Sequence, residues 1–569
     1  MSDTVSEKRT DSQLNDSGNK LKISADTIIE TDISKLEKGD NCESKEKDLD
    51  HFHSEETIES SIEPSKSQFL IVFIGLFLIV FMAALDSNII AIAIPSISKE
   101  FQSLSEVPWL FTGFLVGNTA FVPSYGKLAD IFGRKAMVIT AVTIFELGSL
   151  LCGFAVNMKM LIFARTLQGV GGGGVVSLSL IVISDMVSVQ ERPKYQSIIS
   201  AAFGVATIVG PLVGGIITET LTWRWNFFLN LPFGLIAAVV CLLFMNLREL
   251  DRRSWRVKLV RVDFLGTFLL VSGVVMLLIP VQGGGTQFAW DSPTVITMLS
   301  ISGVLLILFV YSQWKWAFEP LIPLRLFSNR HTAAPFVSTF FFGMTVTPPM
   351  FYTPLYFQII LNHDPLAAGE DTLPLLLSTI VCVIFSGMFI AKTGYYLPLL
   401  LFGSATAGVG MFLLSTMDEY SLVWQRIVYL IISGSGMGLC IQTILIACQL
   451  SVEEKDLSIV TALKSFWQTI GSVFGLAIVS TYFNNMLGSN IRDVLIEQNW
   501  NGSIQTLVDT ISSNPLAIRS SNIPSELVAP LVHAVVLAFQ KTFLICIPFA
   551  GLTFISALFC NWKPMEMKR

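Results

Sequence analysis

The strongest constraint in this chain is a pattern repeated almost end to end. An apolar run of about 20 residues, long enough to cross a bilayer as a helix, is followed by a short polar break and another such run. Inside hydrocarbon only helices and closed barrels satisfy their own backbone, so runs of this length predict helices. They fall near 69–93, 107–126, 136–156, 160–184, 196–217, 225–246, 263–281 and 295–316, then 334–358, 372–391, 396–415, 425–447, 459–483 and 536–560. The expected fold class is therefore an all-α membrane protein with about fourteen transmembrane helices. Composition agrees: 14% of the residues are charged, against about 25% in soluble domains.

Charge placement orients the spans. An even number puts both termini on one side, and Lys and Arg mark the cytosolic loops. "GKLADIFGRK", "ERPK", "RELDRRSWRVKLVR", "RLFSNRH" and the final "NWKPMEMKR" share one side. "VQGGGTQFAWDSP", "LNHDPLAAGED" and "STMDEYS" on the other contain no Lys or Arg. Both termini are thus expected in the cytosol. Residues 1–68 hold 17 acids and 9 bases and read as a disordered acidic tail without the apolar core of a secretory signal. The largest non-cytosolic loop, 484–535, carries "NGS", a glycosylation acceptor at Asn501.

Several function classes fall away. There is no G-x-x-x-x-G-K-[ST] loop, and the five His and eight Cys form no metal-ligand spacing. All cysteines but Cys42 lie in apolar runs, as small packing residues. "GVGGGG", Gly169 to Gly174, fits a dinucleotide pattern but lies within an apolar run with no preceding strand, so it reads as a site of close helix approach. The expectation is a non-enzyme with no cofactor, no metal and no nucleic-acid partner.

The charges that remain inside the runs are the mechanistic candidates. In "FMAALDSNIIAIAIP", Asp86 sits amid apolar residues, where an ionised side chain costs roughly 2.5–3.5 kcal/mol. Two readings stand. With Arg165 of the fourth run, whose charge cannot be lost, as the candidate neighbour opposing the effect of burial, the carboxyl could hold an exchangeable proton, or the two could form a permanently ionised structural pair. Glu146, in "IFELGS", either faces a cavity or bonds to a neighbouring helix. Lys464 and Arg426 lie close to span ends and are expected to snorkel, and Asp185 is expected at the interface. Trp467, Phe466, Phe341 and Tyr352 are candidate cavity aromatics.

"GKLADIFGRK" spans Gly126, Asp130, Gly133, Arg134 and Lys135, and it resembles the G-x-L-a-D-r-x-G-r-k loop of the major facilitator superfamily. "RTLQGVGGG" from Arg165 resembles that family's fourth-span motif, with Gln168. "GVATIVGPLVGG", carrying Gly204, Gly210, Pro211, Gly214 and Gly215, resembles its antiporter motif. "LDSNIIAIAIP" is similar to the first-span motif of the fourteen-span drug:proton antiporter group, with Asn88 where that motif has Thr. "TWRWNFFLNLPFG", "YTPLYFQ" ending at Gln358, and "SGSGMGLCIQTILIACQ" also look like that group. Gly387 and Gly394 echo the seven-residue offset of Gly126 and Gly133 in the second half.

The resemblance implies two six-helix bundles, 69–246 and 333–560, joined by a linker with two extra helices, 247–332, and followed by a tail, 561–569. It implies a proton-coupled antiporter that moves a small organic solute or drug out of the cytosol by alternating access, in the plasma or vacuolar membrane. Asp86 and Arg165 would couple protons. Asn88, Glu146, Gln168, Gln358 and Trp467 are candidate substrate-cavity residues, and the 126–135 loop would gate. The expected partners are solute, protons and lipid around a monomer. A vacuolar importer of basic amino acids or a siderophore carrier on the same fold is the alternative, and a non-transporting sensor is a lesser one.

Overall fold

The computed structural model of the chain describes residues 65–103, 106–245, 254–284, 288–498, 500, 502–513, 515–519 and 523–562. The acidic tail and the acceptor Asn501 lie outside the described residues. Fourteen long helices run through the described part: α1 Lys66–Phe101, α2 Pro108–Phe132, α3 Arg134–Gly153, α4 Met158–Met186, α5 Arg192–Thr220 and α6 over the span Trp225–Phe244. Then come α7 Phe264–Gly283, α8 Pro293–Lys315, α9 Arg330–Ile359, α10 Pro365–Thr393, α11 Leu397–Leu414, α12 Val423–Leu450, α13 Leu457–Glu497 and α14 Ser525–Ala557.

Among the described residues, 12 helices are long and apolar enough to cross a membrane. The other two long helices, α2 and α9, are more polar. Lys127 and Asp130 sit in α2, and α9 holds four prolines within its length. Helix α2 packs on α4, α13 and α7, and α9 packs on α13 and α14.

The segment 484–535, expected as a loop, is largely helical. Helix α13 continues unbroken to Glu497, a helix covers Ile504–Ser513, and α14 begins at Ser525. Polar residues hid this from a hydropathy reading. Yet Leu487, Ile491 and Leu495 recur every four residues and are fully buried, the stripe of an amphipathic helix.

Helix pairing is duplicated. In the first half α1 packs on α5 and α6, and α4 packs on α2 and α3. In the second, α9 packs on α13 and α14, and α12 packs on α10 and α11. The halves meet through α2 with α13 and α5 with α10. Helices α7 and α8 pair with each other, and α7 rests on α2 and α13.

Glycines set these approaches. A Cβ at Gly169 or Gly173 would strike the α2 backbone at Phe114 or Asn118, and one at Gly171 would strike α3 at Phe145. On α12, Gly434 and Gly438 meet α10 at Leu375 and Thr379 in the same way, and Gly436 meets α11 at Ala407. Small residues spaced by four let helix backbones touch where lipid provides no hydrophobic drive.

Candidate functional site

Asp86 lies on α1, within a turn whose other polar groups satisfy themselves. Ser87 Oγ donates to the Ala83 carbonyl at 3.0 Å, and Asn88 Nδ2 donates to that of Ala84 at 2.7 Å. The carboxylate must find partners on other helices, and it finds three. Arg165 Nη1 on α4 donates to Oδ2 at 2.5 Å. Gln168 Nε2, one turn further along α4, donates to Oδ1 at 2.9 Å, and Asn230 Nδ2 on α6 donates to the same oxygen at 2.8 Å. Ser149 Oγ on α3 accepts from Gln168 and Asn230, at 2.7 and 3.1 Å.

All five side chains are buried; Asp86 is 2% and Arg165 1% exposed. Phe114 stacks on the guanidinium, 4.4 Å from its ring centre. Two capacities remain open: Arg165 Nε and Asn230 Oδ1 are buried without a partner. The cluster joins α1, α3, α4 and α6, so it lies inside the first bundle. Breaking such a buried pair leaves an uncompensated charge and costs about 3–5 kcal/mol.

Of the other cavity candidates, Gln168 belongs to this cluster. Asn88 is bonded to its own helix and pressed against Gly210 of α5. Glu146 on α3 turns its carboxyl onto Gly234 of α6, the helix-facing alternative, and its Oε2 is buried without a partner. Gln358 is half-buried near the end of α9. Trp467 stands edge-on to Phe340, with ring centres 6.2 Å apart. Asn230 and Ser149 were not singled out from sequence. Asn230, an amide inside an apolar run, carried a usable signal; Ser149, one hydroxyl among many, did not.

The 126–135 turn forms a second cluster. Gly133 takes φ 93° and ψ 148°, a region closed to other residues, and so breaks α2 from α3. Arg134 then reaches back to Asp130 at 2.6 Å and across to Asp185 at 2.8 Å. Its Nη2 donates to Ser458 Oγ on α13, in the other half, at 2.7 Å. A Cβ at Gly126 would lie 2.8 Å from that of Ala462 on the same helix. Lys135 points elsewhere and donates to the Leu242 carbonyl at the end of α6.

On the opposite flank, Gly204 of α5 faces Ile380 of α10, and Gly387 of α10 faces Ser197 and Pro193 of α5. Near the middle, Gln449 Nε2 of α12 donates to Ser184 Oγ of α4 at 3.3 Å. The two halves are therefore in contact at the end that carries this turn. The linker joins there too, since Glu319 accepts from Lys127 at 2.7 Å and from Arg261 at 2.5 Å. Burial alone would raise the Glu319 carboxyl, but these hydrogen bonds outweigh it and hold it below its ordinary range.

The positions of Lys464 and Arg426 near span ends predict snorkelling. Lys464 instead is buried, at 6% exposure, because the residues before it on α13 are covered by α2 and α12.

Duplicated bundles meeting through paired helices, with a buried acid–guanidinium pair in one of them, define a polytopic helical membrane transporter. The model of the Major Facilitator Superfamily matches residues 76–476, and the chain belongs to that family: it is a secondary transporter, not an enzyme. It is 37% identical over 414 residues to the efflux pump dotC of Dothistroma septosporum, covering 73% of this chain and 71% of that one. It is 33% identical over 501 residues to the efflux pump bfoC of Aspergillus brasiliensis, covering 87% of each. Among solved structures, the human organic anion transporter MFSD10 superposes with a TM-score of 0.54 at 13% identity, over 84% of this chain and 99% of that one. The proton:xylose symporter XylE does so at 0.52 and 14%, over 87% and 99%. At such identities these two bear on the fold alone.

Proposed function

We propose that the chain is a proton-coupled antiporter that exports a small organic solute from the cytosol, working as a monomer in the plasma or vacuolar membrane. The relatives named as efflux pumps support the direction. The Asp86 cluster carries the coupling. A carboxylate whose two oxygens accept three hydrogen bonds becomes a donor when it gains a proton, and turning the Asn230 amide over would present its unpartnered Oδ1 as an acceptor. Protonation thus rewires contacts among α1, α4 and α6, and this changes which arrangement of the helices is favoured. One charge moving through 100 mV supplies about 2.3 kcal/mol, enough for an uphill gradient of roughly fiftyfold.

In this reading the 126–135 turn lies on the cytosolic side and the contacts around Arg134 close that side, with Gly210, Pro211 and Gly214 letting α5 bend against α1. A cationic amino acid as cargo draws no support from Asp86, which is committed to Arg165. The test is proton movement in vesicles containing the purified chain and a trapped pH dye, driven by a panel of aromatic solutes. Asp86→Asn is expected to abolish solute-driven proton flux in protein that folds but melts lower, since the change strands Arg165. Undiminished flux in that variant rejects the proposal.

A further inference from the structure

The second half holds a buried cation that the coupling cluster does not use. Lys464 Nζ donates to Gln468 Oε1, one turn along α13, at 2.6 Å. Among the described residues no carboxylate lies within ion-pair distance of it. An ammonium carries three donors, and burying it without a counter-charge is costly. A second unsatisfied group lies on the neighbouring helix α12. Gln442 on α12 is 0% exposed, and neither its Nε2 nor its Oε1 has a partner.

The duplicated glycine register locates Gln442. Aligning Gly169, Gly171 and Gly173 with Gly434, Gly436 and Gly438 makes Ser184 the counterpart of Gln449. These two counterparts bond to each other, so they sit on the axis relating the halves. Gln442 is one heptad back from Gln449 on the same face of α12, about 10 Å further from the closed end. Gln449 also donates to Thr461 of the antiparallel α13 at 3.1 Å. One heptad from Thr461 in the same direction lies Gln468, with Lys464 between them. Lys464, Gln468 and Gln442 therefore stand just inward of the contacts that close the molecule.

We infer that Lys464, held by Gln468 and joined by Gln442, receives the anionic group of an organic acid, which makes acids the preferred cargo. This rests on the reading of the chain as a solute transporter. A carboxylate or acidic phenolate brings both the missing counter-charge and acceptors for the free ammonium and amide N–H groups. In apolar surroundings such charge-assisted bonds are short and strong. A neutral solute of the same shape leaves the ammonium unpaired, and a cation is repelled, which is how a site discriminates by rejection.

The test is equilibrium binding of radiolabelled 1-naphthaleneacetate and of 1-naphthaleneacetamide, its neutral isostere, to the purified full-length chain in detergent. The wild type is expected to prefer the acid by at least about tenfold, the scale of one charge-assisted contact. Lys464→Met should remove that preference and leave amide binding within about twofold, while Lys464→Arg should keep it. The Met variant should melt no lower than the wild type, since it loses a buried unpaired charge.

A wild type without preference for the acid, including one that binds neither compound, overturns the inference. So does a Met variant that keeps the preference, or one that melts lower and loses both ligands alike. No proton gradient is involved, so this result and the Asp86→Asn flux result fail independently.

Discussion

The two halves share a backbone plan and differ in chemistry. Gly210 and Gly214 seat α5 on α1 at Asn88 and Ile89, and Gly471 and Gly475 seat α13 on α9 at Phe340 and Met344. The register that aligns the glycines of α4 and α12 puts Leu430 where the first half has Arg165, and Ser433 where it has Gln168. Packing positions have been kept in both halves, while the charged positions have been kept in one. Close helix approach is a demand of the fold, which both bundles must meet. A buried ion pair is a local device, and one copy is enough.

The sharpest way to break this contrast is to exchange the charges. Arg165→Met should cost about 3–5 kcal/mol, because it strands the buried Asp86, and it would appear as a large fall in melting temperature. Leu430→Arg should be comparably damaging, since it places a guanidinium at a fully buried apolar position; a tolerated arginine would mean the halves are chemically interchangeable. Next in size, Gly171→Ala and Gly436→Ala each force a Cβ into a facing backbone. Each should lower stability by about 1–3 kcal/mol. Matched losses in the two melting curves would sharpen the duplication, and a loss confined to one would break it.

The turn glycines should differ by less. Gly133, at φ 93° and ψ 148°, lies in a region reserved for glycine, so alanine there should cost about 1–3 kcal/mol. Gly394, at φ 75° and ψ −7°, is left-handed helical, and alanine there should cost about 1 kcal/mol. The smallest effect is Glu319→Gln, about 0.2–1 kcal/mol for a partly exposed contact. Arg261 and Lys127 hold its carboxyl below the ordinary glutamate range, so the contact stabilises at neutral pH and is lost as the group takes up its proton in acid. Wild-type and variant melting curves should converge in acid.

Much of this was legible beforehand. Apolar runs announced the helices, and Asp86 and Arg165, charges set within such runs, were the candidates for the pair that the structure forms. The 126–135 turn was recognisable by its glycine spacing, which states a backbone conformation directly. The rest was hidden for physical reasons. Residues 484–497 are polar enough to read as loop, and only the buried stripe of Leu487, Ile491 and Leu495 marks them as helix. Asn230 showed only as an amide inside an apolar run, and Ser149 joined the site through tertiary packing, which no local pattern encodes. Lys464 looked peripheral because its distance from a span end was counted along the chain, whereas burial depends on which neighbours cover that end.

Helix α13 has a mechanical consequence. Its 41 residues make a rod about 60 Å long, roughly twice the hydrocarbon thickness, anchored at one end beside Arg134 and Lys464. A rigid rod multiplies angle by length: a tilt of about 5° at the anchored end sweeps the far tip through about 5 Å. Ile496, exposed near that tip, is thus the natural place for a spectroscopic label, where a rearrangement too small to resolve at the pivot becomes a displacement that a distance measurement can follow in real time.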